Sequence, residues 1–165
     1  MTVIADSSVV NYLILIDTIQ ILQPLFGEVL IPKAVSEELR RPGTPSKVAT
    51  WMSRRPDWLR LQTPKRITVD NALEKLGDGE REAVILALEY FPDVLLLIDE
   101  IKGREEAERR HIRFMGTLGI LDKAAASGLL DLPSTLDRLL QTTFYVTPSL
   151  LKGLLEDDAR RKKKL

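Results

Sequence analysis

Five large aliphatic residues in a row, Val94-Leu95-Leu96-Leu97-Ile98, run directly into two acids, Asp99 and Glu100. A strand that is apolar on both faces must be covered on both faces, which places it inside a mainly parallel sheet with helices on either side. Thr2-Val3-Ile4-Ala5 repeats the design and ends at Asp6. Val29-Leu30-Ile31, stopped by Pro32, predicts another strand, Leu59 to Gln62 an alternating edge strand, and Ile112 to Met115 a last one. Helical patterns fill the gaps. Strands alternating with helices predict an α/β fold: a central, mainly parallel sheet of four or five strands with helices on both faces.

The helices have readable ends. Asp6, Ser7 and Ser8 precede an apolar stretch from Val9 to Leu15, and Asp17 is placed to cap a second helix reaching about Leu25. Further helices are expected at about 32–41, 46–54, 70–76, 80–90 and 102–110. Thr117 is expected to cap a helix closed by Gly128, with two more at about 134–141 and 148–158. The length suits one domain, taken as residues 1–158, followed by a flexible basic tail at 159–165.

Absences narrow the chemistry. No run of about 18 apolar residues offers a membrane span. The N-terminus lacks the basic and apolar regions of a secretory signal. There is no cysteine, hence no disulfide, thiolate zinc site or cysteine nucleophile. A cytoplasmic location is the expectation. His111 is the only histidine, which excludes two-histidine acid–base catalysis. Its expected role is structural or that of an exposed surface residue.

The net charge is zero but unevenly spread. Residues 40–66 hold eight basic side chains against Asp57 alone: Arg40, Arg41, Lys47, Arg54, Arg55, Arg60, Lys65 and Arg66. Residues 160–164 are all basic, and the rest of the chain is strongly acidic. An acidic body beside a basic patch suits a cation site next to a surface that binds a polyanion. Trp51 and Trp58 lie within the patch, where they can either stack on unpaired bases or cover the core.

Parallel strands deliver whatever follows them to one edge of the sheet. Asp6 and Asp99 each follow a buried strand, so both should emerge at the carboxyl edge, where open α/β sheets bind ligands. Two helical acids join them. Glu38 lies beside the apolar stripe of Val35 and Leu39, whereas Glu37 points farther away. Glu80 opens the helix after Gly77-Asp78-Gly79. Taken singly, each acid has an ordinary explanation as a helix cap or a dipole partner. Gathered in one cleft, the four would repel one another, and a divalent cation relieves that repulsion. Oxygen-only ligands favour Mg²⁺ or Mn²⁺, and the chemistry that follows is phosphodiester hydrolysis by a metal-activated water.

These residues resemble the PIN domain nucleases along nearly the whole chain. The resemblance rests on Asp6-Ser7-Ser8, Glu38-Leu39, and Gly79-Glu80-Arg81-Glu82-Ala83-Val84-Ile85-Leu86-Ala87. It continues through Asp99-Glu100, Arg104 and Gly116-Thr117-Leu118-Gly119-Ile120-Leu121. It implies a PIN-like three-layer sandwich and a ribonuclease for single-stranded RNA. Asp6, Glu38, Glu80 and Asp99 would be catalytic and metal-binding around one or two Mg²⁺ or Mn²⁺. Ser8, Glu82, Glu100, Arg104 and Thr117 would support them. The third acid is Glu80 or Glu82, and the fourth is Asp99 with Glu100 next to it. Arg40, Arg41, Lys47, Arg54 and Arg55 would hold RNA. Many relatives are VapC-like toxins neutralised by a small antitoxin protein, and relatives often form homodimers. Arg104 can hold the Asp99 carboxylate, contact a phosphate, or pair with Glu100 or Glu108 along its helix.

Other acidic α/β sites fit less well. A haloacid-dehalogenase phosphatase needs a second Asp where Ser8 stands. A receiver domain needs a separate phosphoacceptor strand ending in Asp between Leu30 and Val94. The competing reading from a different class is a catalytically weak module on the same fold that binds nucleic acid or a partner.

Overall fold

The computed structural model describes residues 1–165. Its elements run β1 (Thr2–Ala5), α1 (Ser7–Leu15), a 3₁₀ turn (Ile19–Ile21), α2 (Leu22–Phe26), β2 (Val29–Ile31), α3 (Lys33–Glu38) and α4 (Ser46–Ser53). They continue through β3 (Leu59–Leu61), α5 (Asn71–Glu74), α6 (Asp78–Glu89), β4 (Val94–Leu97), α7 (Ile101–Arg109), β5 (Arg113–Met115), α8 (Thr117–Ala126), α9 (Leu132–Leu140) and α10 (Pro148–Lys163). All five strands form one parallel sheet in the order β3-β2-β1-β4-β5.

The two-sided burial expected of Val94–Ile98 is present. Leu95 and Leu97 join a core cluster of 25 residues on one face, while Val94, Leu96 and Ile98 join a cluster of 14 on the other. In β1, Val3 and Ala5 face the larger cluster and Ile4 the smaller. Helices α1, α2, α4, α8 and α9 bury residues in the larger cluster, and α6 supplies much of the smaller. The result is three layers, helix–sheet–helix.

The strand order sets the location of the site. From β1 the chain winds outward through β2 to β3, then returns across the sheet to lay β4 on the other side of β1. The winding reverses between β1 and β4, which opens a crevice at their carboxyl ends. The register pairs Ala5 with Leu97, and the Asp6 amide donates to the Leu97 carbonyl at 2.9 Å. The acids that follow the two strands are thereby brought to one place.

Several boundaries differ from expectation. Asp17 caps no helix; it takes a left-handed turn (φ 58°), and a 3₁₀ turn leads into α2. Position 116, not Thr117, is the cap of α8, and Thr117 is its first residue. The expected tail from 159 is not separate, because α10 continues to Lys163. Opposite charge accounts for the extension: Arg161 pairs with Asp122 of α8 at 2.9 Å, and Lys162 pairs with Asp131 before α9 at 3.6 Å and, within α10, with Asp158 at 2.9 Å. No helix is long and apolar enough to cross a membrane.

Candidate active site

Asp6 follows the central strand and is 1% exposed. It occupies the cap position of α1, yet its side chain makes no capping hydrogen bond. Capping therefore does not explain a buried carboxylate here. Burial raises its pKa to about 7, with the Ser7 amide offsetting part of the rise and Glu80, Glu38 and Glu100 adding to it.

Glu38 ends α3 and reaches α6. Its Oε1 accepts from the Gly79 amide at 2.8 Å, and its Oε2 accepts from the Ser7 hydroxyl at 2.7 Å. The same hydroxyl lies 3.5 Å from Asp6 Oδ1, so Ser7 bridges the two acids. Ser8, the expected support, has a buried hydroxyl with no partner. Glu80, in the first turn of α6, also has a buried carboxylate oxygen, Oε2, with no hydrogen-bond partner. Burial raises its pKa; the Gly77 amide opposes this, and Glu100 and Glu38 reinforce it.

Glu82 serves the fold. Its Oε2 accepts from the Ala34 amide at 3.1 Å, in the first turn of α3, where backbone donors need partners. Glu80 is the one of the two among the charges that raise the Asp6 pKa.

Asp99, after β4, is held by hydrogen bonds as Glu38 is. Each of its oxygens accepts one hydrogen bond from Thr117, from the amide at 2.8 Å and from the hydroxyl at 2.7 Å. Arg104 stands 3.7 Å from it, donates through Nε to the Ile98 carbonyl at 3.1 Å, and lies 5.9 Å from the Phe114 ring centroid. The neighbouring Glu100 is among the charges that raise the pKa values of Asp6 and Glu80. Glu100 also lines a cleft of about 250 Å³ together with Ser7, Ser8, Asn11, Tyr12 and Glu38.

Three glycines make room for these side chains. A Cβ at position 79 would stand 2.5 Å from Glu38 Oε2. One at 103 would stand 2.7 Å from Glu80 Oε2, and one at 116 would stand 2.9 Å from Asp99 Oδ1 while colliding with the Arg104 guanidinium. Residue pattern alone gives none of them a role at the site. A signal exists for Gly103, since glycine inside a helix costs about 1 kcal/mol and so implies a local reason.

The basic segment is divided by the topology. Arg40 and Arg41 lie on the loop after Glu38, which the Thr44 hydroxyl ties to the Glu38 carbonyl at 3.1 Å, and Thr44 and Pro45 form a wall of the cleft. Arg41 approaches Asp78 at 3.9 Å across this rim. Lys47 is engaged by Asp17 at 2.8 Å. Arg54 and Arg55 lie at the far end of α4, just before β3 starts. They are thus at the amino edge of the sheet, opposite the cleft, and the expectation that the whole segment flanks the acids is corrected. Trp51 and Trp58 pack together at 6.3 Å and cover the larger core cluster. His111 is exposed in a left-handed turn (φ 59°) between α7 and β5.

The donor set suits a hard divalent cation in kind: carboxylate oxygens alone, one of them an unpartnered buried oxygen on Glu80. As the side chains stand, no three acids converge closely enough to coordinate an ion. The arrangement is a set of neighbouring acids in which Glu38 and Glu100 help to raise the pKa values of Asp6 and Glu80, and hydrogen bonds fix Glu38 and Asp99.

An acidic pocket at the switch point of a parallel sheet defines the class: an α/β domain with its candidate site at the carboxyl ends of its central strands. A family profile described as PIN domain matches residues 2–159, and the chain belongs to the PIN domain family. PIN domains are generally nucleases, which makes this chain a hydrolase fold at the coarse level. No curated protein and no solved structure matches it.

Proposed function

We propose that the protein is a metal-dependent endoribonuclease acting on single-stranded RNA, with Mg²⁺ or Mn²⁺ held by Asp6, Glu38, Glu80 and either Asp99 or Glu100. The observation that carries this reading is Asp6: a carboxylate buried at the switch point, not used as a cap, and surrounded by three further acids. A bound divalent cation supplies an activated water and charge neutralisation at the scissile phosphate. The chain supplies position. Ser7 and Gly79 fix the Glu38 carboxylate, Thr117 and Arg104 fix Asp99, and Arg40 and Arg41 offer cations to the RNA backbone at the rim.

The test is cleavage of an end-labelled single-stranded RNA with Mg²⁺ or Mn²⁺, with EDTA, and by Glu80→Gln. Metal-dependent cleavage that the variant loses supports the reading. Equal cleavage in EDTA removes it. A second reading, a weakly catalytic binding module, is favoured by the engagement of Asp99 by Thr117. It predicts RNA binding without turnover. The acidic cleft also suits the arginine of a small antitoxin protein, which is the feature a toxin role would use. Addition of an arginine-bearing partner encoded beside the gene would then suppress cleavage.

A further inference from the structure

The loop between α9 and α10 is tied down almost residue by residue. The Thr142 hydroxyl donates to the Leu139 carbonyl at 2.6 Å and accepts from the Phe144 amide at 3.1 Å. Thr143 hydrogen-bonds the Tyr12 hydroxyl at 2.8 Å, and the Phe144 ring meets the Tyr12 ring edge-on with centroids 5.0 Å apart. Val146 is buried, and the Thr147 side chain caps α10. Amid these anchors Tyr145 is 80% exposed, more than any other large apolar side chain except that of the terminal Leu165. Tyr12, the post to which the loop is fixed, also lines the acidic cleft. The loop that carries this exposed ring is thus fastened, through Thr143 and Phe144, to a residue of the cleft wall, and Arg40 and Arg41 lie on the loop whose Thr44 and Pro45 line the same cleft.

We infer that Tyr145 is a stacking platform for an unpaired base of the RNA strand whose backbone enters the acidic cleft. This rests on the ribonuclease reading for the identity of the ligand. An aromatic face accepts any base that is not already stacked in a duplex, and a loop whose backbone is already anchored has little backbone freedom left to lose on binding. The residue would therefore act on affinity for single strands, separately from cleavage chemistry.

The experiment measures binding of a short fluorescein-labelled single-stranded RNA by anisotropy. The full chain and its Tyr145→Ala, Tyr145→Phe and Tyr145→Trp variants are compared, each with the same oligomer carrying abasic nucleotides. The expected result is a loss of roughly five- to hundredfold for Tyr145→Ala on the intact oligomer. Phe and Trp should bind as wild type, the salt dependence should be unchanged, and all four proteins should bind the abasic oligomer equally. Equal binding of intact RNA by wild type and Tyr145→Ala overturns the inference. So does an equal loss on intact and abasic oligomers, or a change confined to self-association, which would make the ring part of a protein interface. Tyr145-dependent binding without cleavage would remove the ribonuclease reading and keep this one; cleavage with no Tyr145 dependence would do the reverse.

Discussion

The Gly79 amide donates to Glu38 Oε1 at 2.8 Å, and a Cβ on Gly79 would stand 2.5 Å from the other oxygen of the same carboxylate. The first turn of α6 thus holds the Glu38 carboxylate by a backbone donor and leaves room for it by lacking a side chain.

Gly79→Ala should therefore separate function from folding. The clash is with the end of a flexible side chain, so the Glu38 carboxylate moves and the backbone stays. Stability should change by less than about 1 kcal/mol, while metal-dependent cleavage falls about tenfold or more. Thermal unfolding in EDTA and cleavage rates check the two halves. A variant that cleaves as well as wild type would show that the position of Glu38 does not matter.

Asp6 gives a pH dependence with a definite sign. Its folded pKa, about 7, lies above the ordinary value of 3.8. The folded state therefore holds a proton that the unfolded state releases. This contribution to stability is full below about pH 4 and is lost as the pH rises through about 7. The loss amounts to roughly 4 kcal/mol at most. In EDTA, Asp6→Asn should then melt higher than wild type at pH 8, with the gap closing towards pH 4. With Mg²⁺ or Mn²⁺ present the variant should gain less than wild type, because a charged ligand is gone. A variant that melts lower than wild type at pH 8 in EDTA would count against a strained carboxylate.

Asp99 and Glu100 should differ when neutralised. Asp99→Asn loses charge-assisted bonds to Thr117 and should cost about 1–2 kcal/mol of stability. Glu100→Gln touches no such bond and should leave stability in EDTA unchanged or raised, while weakening metal binding. Calorimetric titration with Mn²⁺ alongside urea unfolding separates them. Equal metal affinity in wild type and Glu100→Gln would assign the fourth position to Asp99.

The two arginine pairs should also part. Replacing Arg40 and Arg41 with Ala should weaken binding of single-stranded RNA and lower the salt slope by about 0.7 for each phosphate no longer neutralised. The same change at Arg54 and Arg55, at the opposite sheet edge, should leave both quantities alone. Anisotropy titrations over a range of salt read this directly. A dominant effect at Arg54 and Arg55 would mean that RNA follows a path away from the cleft.

The sheet, and the residues that reach its carboxyl edge, are legible in the chain without coordinates. Unbroken aliphatic runs ending in Asp6 and Asp99 can be buried on both faces only as parallel strands, and parallel strands deliver their successors to one side. Glu38 beside its apolar stripe and Glu80 at a helix start are legible for the same local reasons. Which donors each carboxylate meets is settled by folding. Thr117 lies 18 residues beyond Asp99 and donates to both of its oxygens, while Glu82 reaches 48 residues back to the start of α3. Folding also settles where the arginines stand, because α4 carries Arg54 and Arg55 from one edge of the sheet to the other. Periodicity records which face of its own element a side chain takes. It carries no record of the hydrogen-bond donor that a distant segment brings to meet it, and here such donors meet Glu38, Glu82 and Asp99 while one buried oxygen of Glu80 is left without a partner.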